Sequence, residues 1–383
     1  MRVAVNAEQL LYRSPGGIGR YTAQLLTLLP AAHPDCEVVP VVGRHTEAEV
    51  QAALSAFGVS EAVRRRAAGQ ALPAALMYEA WVRLGWPPLR GVDGATLVHA
   101  PSAAVPPASG RPLVVTVHDA APELFPEGFT ARGRRFHRLG MAAAARRAEV
   151  VITVSQSAAD EIAAHTPIGA DRIVVVPNGV DPPAADPAAD AEARARLGLA
   201  GRRYLFWVGS LEPRKGVGTL VAAAAELKRS GAHPDLLTVV GGYAGWLNDH
   251  LIAPADRAAL GDSLVEAGRL SEADLWALYR GAAIFAFPSH HEGFGLPVLE
   301  AMSQGTPVVA SDIPAIREVA GDAALLVPPG NVAAWAGALD GLLADETGRA
   351  RLGGAGPRRA ARFTAAATMA ATHAVYQTVG SSG

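Results

Sequence analysis

The sequence predicts two doubly wound α/β domains in tandem, on three observations. Short apolar runs alternate with helix-like segments along the chain, the pattern of parallel strands covered by helices. The alternation breaks once, in a Pro/Ala/Asp stretch near the middle, and then restarts. The chain has 383 residues, half of them apolar, enough for two cores of ordinary size.

Composition narrows the partners. Net charge is −2 and only 18% of residues are charged, so no basic stripe points to nucleic acid. The single cysteine, Cys36, excludes an internal disulfide and a cysteine metal cluster, and it suits a reducing cytoplasm. Met1-Arg-Val-Ala-Val enters a strand-like run with no leader pattern. No uninterrupted apolar run is long enough to span a membrane. Lys215 and Lys228 are the two lysines, which makes the position of Lys215 informative.

In the first half, Arg2 to Asn6 reads as a buried strand. The glycine loop Ser14-Pro-Gly-Gly-Ile-Gly-Arg20 and a helix carrying Leu25, Leu26, Leu28 and Leu29 follow it. Strand, glycine loop and helix make a corner ready for phosphate, although the spacing is not G-x-G-x-x-G. A loop that merely turns tightly fits equally. Val38 to Val42 is a second strand. From Thr46 to Trp86 the pattern is helical and amphipathic, with Arg64, Arg65 and Arg66 near Leu72, Leu76, Met77, Trp81 and Trp86. Such a face touches an anionic leaflet or is simply a solvated face beside a core. Ala95 to Ala100 and Pro112 to Val117 are strands. The second ends in His118-Asp119, where open parallel sheets gather ligands, or where a histidine is satisfied by backbone and an aspartate caps a turn. An arginine-rich helix over 128–148, a strand Val150 to Val154, a Ser155-started helix and a strand Arg172 to Pro177 complete this half.

Residues 182–198, rich in Pro, Ala and Asp, read as a linker between a domain over 1–181 and one over 199–363. In the second half, Tyr204 to Val208, Leu236 to Val240, Ser263 to Glu266, Ala283 to Phe287, Pro307 to Ala310 and Ala323 to Val327 are strands. Helices run through Leu227, over Ser271 to Tyr279 with Ser271 as cap, and over Val332 to Leu343. After a Gly/Arg loop, a last helix starts at Thr364.

The most informative stretch is Phe287-Pro-Ser-His-His-Glu-Gly-Phe-Gly-Leu-Pro-Val-Leu-Glu-Ala-Met302. Its glycines admit close approach to the backbone. A helix start favours an anion. Glu292 and Glu300 then suit the hydroxyls of a phosphorylated sugar or sugar nucleotide. The same strand–loop–helix is also the ordinary corner of any α/β protein.

The motifs resemble those of the retaining family 4 glycosyltransferases. Glu292 and Glu300 stand as Glu-x₇-Glu, followed by Gly305-Thr-Pro-Val-Val-Ala-Ser-Asp312. Gly209-Ser-Leu-Glu-Pro-Arg-Lys-Gly216, Ser155-Gln-Ser157 and Val176-Pro-Asn-Gly-Val-Asp181 precede them in the family's order. The resemblance implies the GT-B fold, two Rossmann-like domains facing each other across a cleft, with a final helix over 364–383 packing back on the first. It also implies roles. Glu292 and the amides of Gly293, Phe294 and Gly295 would hold the donor sugar, and Leu296 and Pro297 would bring the helix start to the distal phosphate. Glu300 would meet the ribose, and Arg214 and Lys215 the diphosphate, beside Gly209 and Ser210. Arg269 and Leu270 would meet the nucleobase, His118 the sugar, and Gly16 and Gly17 the phosphate or acceptor side.

The implied activity is a hexosyl transfer with retention from a nucleotide diphosphate sugar, GDP-mannose before a UDP-sugar, to a glycan or lipid-linked acceptor. No cofactor and no metal are expected, since the chain lacks Asp-x-Asp and two cations can carry the leaving charge. A phosphorylase is disfavoured because no lysine follows Lys228. An inactive sugar-nucleotide binder is the non-enzymatic alternative. The expected location is the cytoplasm, with peripheral contact at the inner face of the cell membrane left open.

Overall fold

The computed structural model describes residues 1–244 and 251–381. The chain divides into two compact units. One comprises residues 1–126, 130–179 and 365–383, and the other 127–129 and 180–364.

The first unit holds seven parallel strands: β1 (Arg2–Asn6), β2 (Glu37–Val42), β3 (Ala68–Gly69), β4 (Leu97–Ala100), β5 (Leu113–Thr116), β6 (Val150–Thr153) and β7 (Ile173–Val175). Their order is β3-β2-β1-β4-β5-β6-β7, so the winding reverses between β1 and β4. β1 is apolar on both faces because both are covered. Val3 and Val5 pack with Leu25, Leu26 and Leu29 of the helix Gly16–Ala32 and with Met369 and Tyr376 of the helix Ala365–Gly380. Ala4, Met77, Trp81 and Met141 fill the opposite face.

The second unit holds six parallel strands: β8 (Tyr204–Leu211), β9 (Leu237–Ala244), β10 (Leu264–Gly268), β11 (Ile284–Phe287), β12 (Val308–Ser311) and β13 (Leu325–Val327). The order β10-β9-β8-β11-β12-β13 reverses between β8 and β11. These two pair directly, Ile284 opposite Leu205 and Phe285 opposite Phe206. Their outgoing loops therefore flank the crevice where such sheets bind ligands.

Several local expectations change. Residues 182–198 are not a bare linker. Asp186 caps a helix, Pro187–Arg196, by accepting from the amides of Ala188 and Ala189. Arg280 clamps that helix through both carboxylate oxygens of Asp190, each at 2.6 Å, so the segment belongs to the second unit. Val180 joins the same unit, its amide bonded to the Phe363 carbonyl at 3.0 Å. The Gly/Arg segment is the helix Glu346–Ala360, not a loop. Its glycines let it lie on another backbone: a Cβ on Gly353 would come within 2.7 Å of the Gly305 carbonyl oxygen, and one on Gly356 within 2.8 Å of that of Met302. Residues 14–20 are not all loop either, because the helix begins at Gly16. The last helix ends at Gly380, and residues 382–383 lie outside the described residues.

Candidate functional site

The second unit gathers most of the candidate residues in the two loops at the winding reversal. β11 is buried throughout and ends at Phe287. The loop beyond it delivers His291 and Glu292, and Gly295 then caps the helix Leu296–Ser303 at φ +103°. A Cβ on Gly295 would meet only the movable end of a side chain, Ile316 Cδ1 at 2.5 Å, so it is the backbone conformation that requires glycine. The helix starts at Leu296, one residue before Pro297, a position that loses nothing by lacking an N–H.

The loop after β8 closes on this one. A Cβ on Gly216 (φ +64°) would lie 2.1 Å from the Pro288 carbonyl oxygen, and the His290 amide bonds the Arg214 carbonyl at 2.8 Å. This contact fixes a charge cluster. Lys215 Nζ donates to both oxygens of Glu292, at 2.7 and 2.9 Å. Arg214 Nη1 reaches the His291 carbonyl at 3.0 Å and Glu292 Oε2 at 3.4 Å. Its Nη2 donates to Glu212 Oε1 at 2.9 Å, which also accepts from Ser210 Oγ at 3.0 Å. Glu212 and Glu292 are buried, 2% and 7% exposed. Burial pushes the Glu292 carboxyl up, but Lys215 and Arg214 beside it outweigh that and hold it below the ordinary carboxylate value. Two cations and two carboxylates thus share a nearly dry spot with no net charge, each orienting the others.

Glu300 lies inside the helix, 2% exposed, and accepts from Tyr279 Oη at 2.9 Å. Tyr279 is itself locked edge-on against Phe206 and Phe285. Gly209 and Ser210 belong to β8, not to the following loop. Gly209 has a packing reason as well, since a Cβ there would meet the Trp207 indole at 3.1 Å. A groove of about 200 Å³ opens at the ends of β8, β9 and β10, between Leu211, Gly242 and Gly268. Arg269 and Leu270 follow directly, with Leu270 resting over Gly241. Phe294 is buried and packs edge-on against Phe363 at 5.8 Å, which holds the Gly293–Gly295 turn in place.

In the first unit, Gly16 and Gly17 are exposed at a helix start that no side chain caps. His118 follows β5, its Nε2 3.0 Å from the Pro101 carbonyl oxygen. A carbonyl only accepts, so Nε2 carries the proton. Burial lowers the ring's pKa, which leaves Nδ1 of the neutral ring as an acceptor. Asp119 caps the next turn, accepting from the Ala121 amide at 3.0 Å.

Sequence reasoning missed what lies beneath. Tyr21 meets the His118 ring edge-on at 5.4 Å, and its hydroxyl pairs with Thr116 Oγ1 at 3.1 Å. Thr116 in turn meets His99 Nε2 at 2.8 Å, and His99 Nδ1 meets Tyr376 Oη at 2.5 Å. His99 sits mid-strand in an apolar run, and no local signal tells such a residue from core. Glu212 stood inside a quoted motif, and its burial was the missing signal.

The membrane face is also redistributed. Arg65 pairs with Glu61, Arg66 with Glu37, and Arg64 with Gln51. Met77 and Trp81 are core, whereas Leu76, Leu84 and Trp86 are exposed. Among the described residues, no helix is long and apolar enough to cross a membrane.

Known families match both halves. The model described as Glycosyltransferase Family 4 matches residues 15–184, and Glycosyl transferases group 1 matches residues 190–359. The chain belongs to the family 4 glycosyltransferases. It is 32% identical over 240 residues to the O-antigen chain mannosyltransferase B of Escherichia coli, 62% of each chain. It is 38% identical over 229 residues to a D-inositol 3-phosphate glycosyltransferase of Kineococcus radiotolerans, 55% of this chain and 53% of that one. The matches to these first relatives thus span about half to two thirds of their length. Its fold is similar to that of Anabaena HepE, solved with UDP and glucose (TM-score 0.72, 20% identity, 99% of this chain and 100% of that one). It is equally similar to a sucrose-phosphate synthase of Thermosynechococcus elongatus (TM-score 0.72, 21% identity, 100% of both chains). These neighbours are GT-B glycosyltransferases, and this family 4 chain has the same fold.

Proposed function

We propose that this chain transfers a hexose, with retention of configuration, from a nucleotide diphosphate sugar to a glycan or lipid-linked acceptor, and that GDP-mannose is its donor. The observation that carries the reading is the Glu292–Lys215–Arg214–Glu212 cluster at the winding reversal, beside a glycine-capped helix start. Breaking a sugar–phosphate bond leaves an oxocarbenium-like carbon and a diphosphate. Lys215 has a third N–H to offer that diphosphate, Arg214 adds its positive charge, and the start of the helix Leu296–Ser303 adds its dipole. Glu292 keeps both cations oriented and meets sugar hydroxyls through the Gly293–Gly295 turn. Glu300 accepts from the ribose, and the groove beside Arg269 and Leu270 takes the base. In the first unit, His118 Nδ1 offers an acceptor to a sugar hydroxyl.

The likeness to a mannosyltransferase supports mannose as the sugar. The likeness to D-inositol 3-phosphate glycosyltransferases supports a second reading of the acceptor, a small phosphorylated polyol, whose anion would suit the uncapped start at Gly16–Gly17. The exposed Leu76, Leu84 and Trp86 support peripheral membrane contact, and hence the lipid-linked acceptor.

A thermal-shift panel of GDP, UDP, ADP and dTDP with their sugars tests the donor, because a ligand bound to the native state raises the melting temperature. GDP and GDP-mannose are expected to give the largest rise. A larger rise with UDP and UDP-glucose would replace the donor, and no rise with any nucleotide would defeat the reading. Transfer carried by two cations is also expected to survive EDTA, and its abolition by the chelator both in the parent chain and in a His33→Ala variant, with the melting temperature of that variant unchanged by EDTA, would refute the metal-free step.

A further inference from the structure

We propose that His33, Asp35 and His373 form a binding site for a divalent cation of the zinc class, which pins the last helix of the first unit to the end of its first helix. None of the three belongs to the donor cluster. Two of them come from one turn. His33 ends the helix Gly16–Ala32, and the Cys36 amide closes back on the His33 carbonyl at 2.8 Å. The turn therefore fixes His33 and Asp35 two residues apart on the same side. The third ligand comes from the opposite end of the sequence, on the helix Ala365–Gly380 packed alongside.

One potential ligand atom from each residue lies within 4.8 Å of the others. The imidazoles of His33 and His373 are stacked, with centroids 3.9 Å apart and planes 14° apart. His373 Nε2 is 3.4 Å from Asp35 Oδ2. A tetrahedral zinc ion with bonds of about 2.1 Å keeps its ligand atoms about 3.4 Å from one another. The rings need only fan open by a small rotation, and the exposed Asp35 carboxylate is free to follow.

The second observation is a buried polar atom that makes no hydrogen bond. His373 is 6% exposed, and its Nε2 has no hydrogen-bond partner among the described residues. Burying a ring nitrogen this way is unfavourable unless something else binds it. A cation bridging the two rings supplies that partner. Two imidazole nitrogens and one carboxylate oxygen form a donor set suited to zinc, and the exposed side at Asp35 leaves a fourth position for water. One turn beyond His373, Tyr376 holds His99 beneath His118, so the cation would fasten the helix that supports that stack.

The test uses the full chain without a histidine tag, stripped with EDTA and titrated with Zn²⁺ by calorimetry and by thermal melting. One ion per chain and a higher melting temperature are expected, reversed by EDTA. His33→Ala and Asp35→Asn alter half-exposed and exposed residues and leave folding intact. Each is expected to weaken Zn²⁺ binding by at least about tenfold and to remove the thermal shift. His373→Ala is expected to do the same, with unchanged circular dichroism showing that it folds. No Zn²⁺ uptake by the parent chain, or equal uptake by all three variants, would overturn the site and leave the pair as plain helix packing.

Discussion

Lys215 is one of two lysines in the chain, and its ammonium is already committed to Glu292 before any donor arrives. A buried pair of this kind adds little net stability, because desolvation offsets the attraction. What it supplies is position. Under the proposed mechanism, Lys215→Ala removes a donor aimed at the leaving diphosphate and is expected to lower kcat by about 10²–10³-fold, with acceptor KM little changed. Steady-state kinetics with varied acceptor decides this, and an unchanged kcat would take Lys215 out of the diphosphate site. Glu300 makes the opposite use of burial. Tyr279 holds one of its oxygens, and Glu300→Gln keeps the shape while removing the charge. Free GDP is expected to bind about tenfold or more weakly to that variant, the cost of a charged hydrogen bond, and equal affinity in calorimetry would remove Glu300 from the ribose.

At the level of elements, the helix Leu296–Ser303 is held from below by another that sequence pattern did not reveal. Gly353 and Gly356 in the helix Glu346–Ala360 approach the Gly305 and Met302 carbonyls too closely to accept a side chain. Gly356→Leu is therefore expected to destabilise the second unit by about 1–3 kcal/mol and to weaken nucleotide binding with it. Urea unfolding with and without GDP measures both, and a variant as stable as the parent chain would contradict the packing. The same glycines explain why this helix read as a loop, since glycine is a helix breaker until a neighbouring backbone requires it. The Pro187–Arg196 helix was hidden for a related reason: it has little apolar face, and its order comes from the Asp186 cap and the Arg280 clamp. The strands were plain because buried parallel strands are continuous apolar runs. The charged loop was legible in its residue types, but the pairing of Lys215 with Glu292 depends on β8 lying beside β11, which no local pattern contains.

For the molecule as a whole, burial of histidine makes a pH dependence calculable. His99 is fully buried between Tyr376 and Thr116, and burial lowers its pKa from 6.5 to about 3. Burial lowers His118, His137 and His290 as well. In each case the folded chain favours the neutral ring, while the unfolded chain takes a proton near pH 6.5. Their contribution to stability is therefore complete above pH 6.5. It is lost as the pH falls below that value, across the window reaching down to about 3 for His99. At pH 5 the loss from His99 alone is about 2 kcal/mol. The Glu292 carboxyl, held low by Lys215 and Arg214, keeps its contribution while the pH stays above the ordinary carboxylate value of 4.5 and loses it only below that value, where the His99 window is still open. Acid is thus expected to weaken the protein in two stages, histidine first and carboxylate later. Urea midpoints at pH 7 and pH 5 measure the first stage. His99→Gln gives up two hydrogen bonds and is expected to be the weaker chain at pH 7. It is also expected to lose less than the parent between pH 7 and pH 5, because its residue 99 has no proton to take up. Parallel losses in the two chains would mean that His99 does not carry the acid sensitivity.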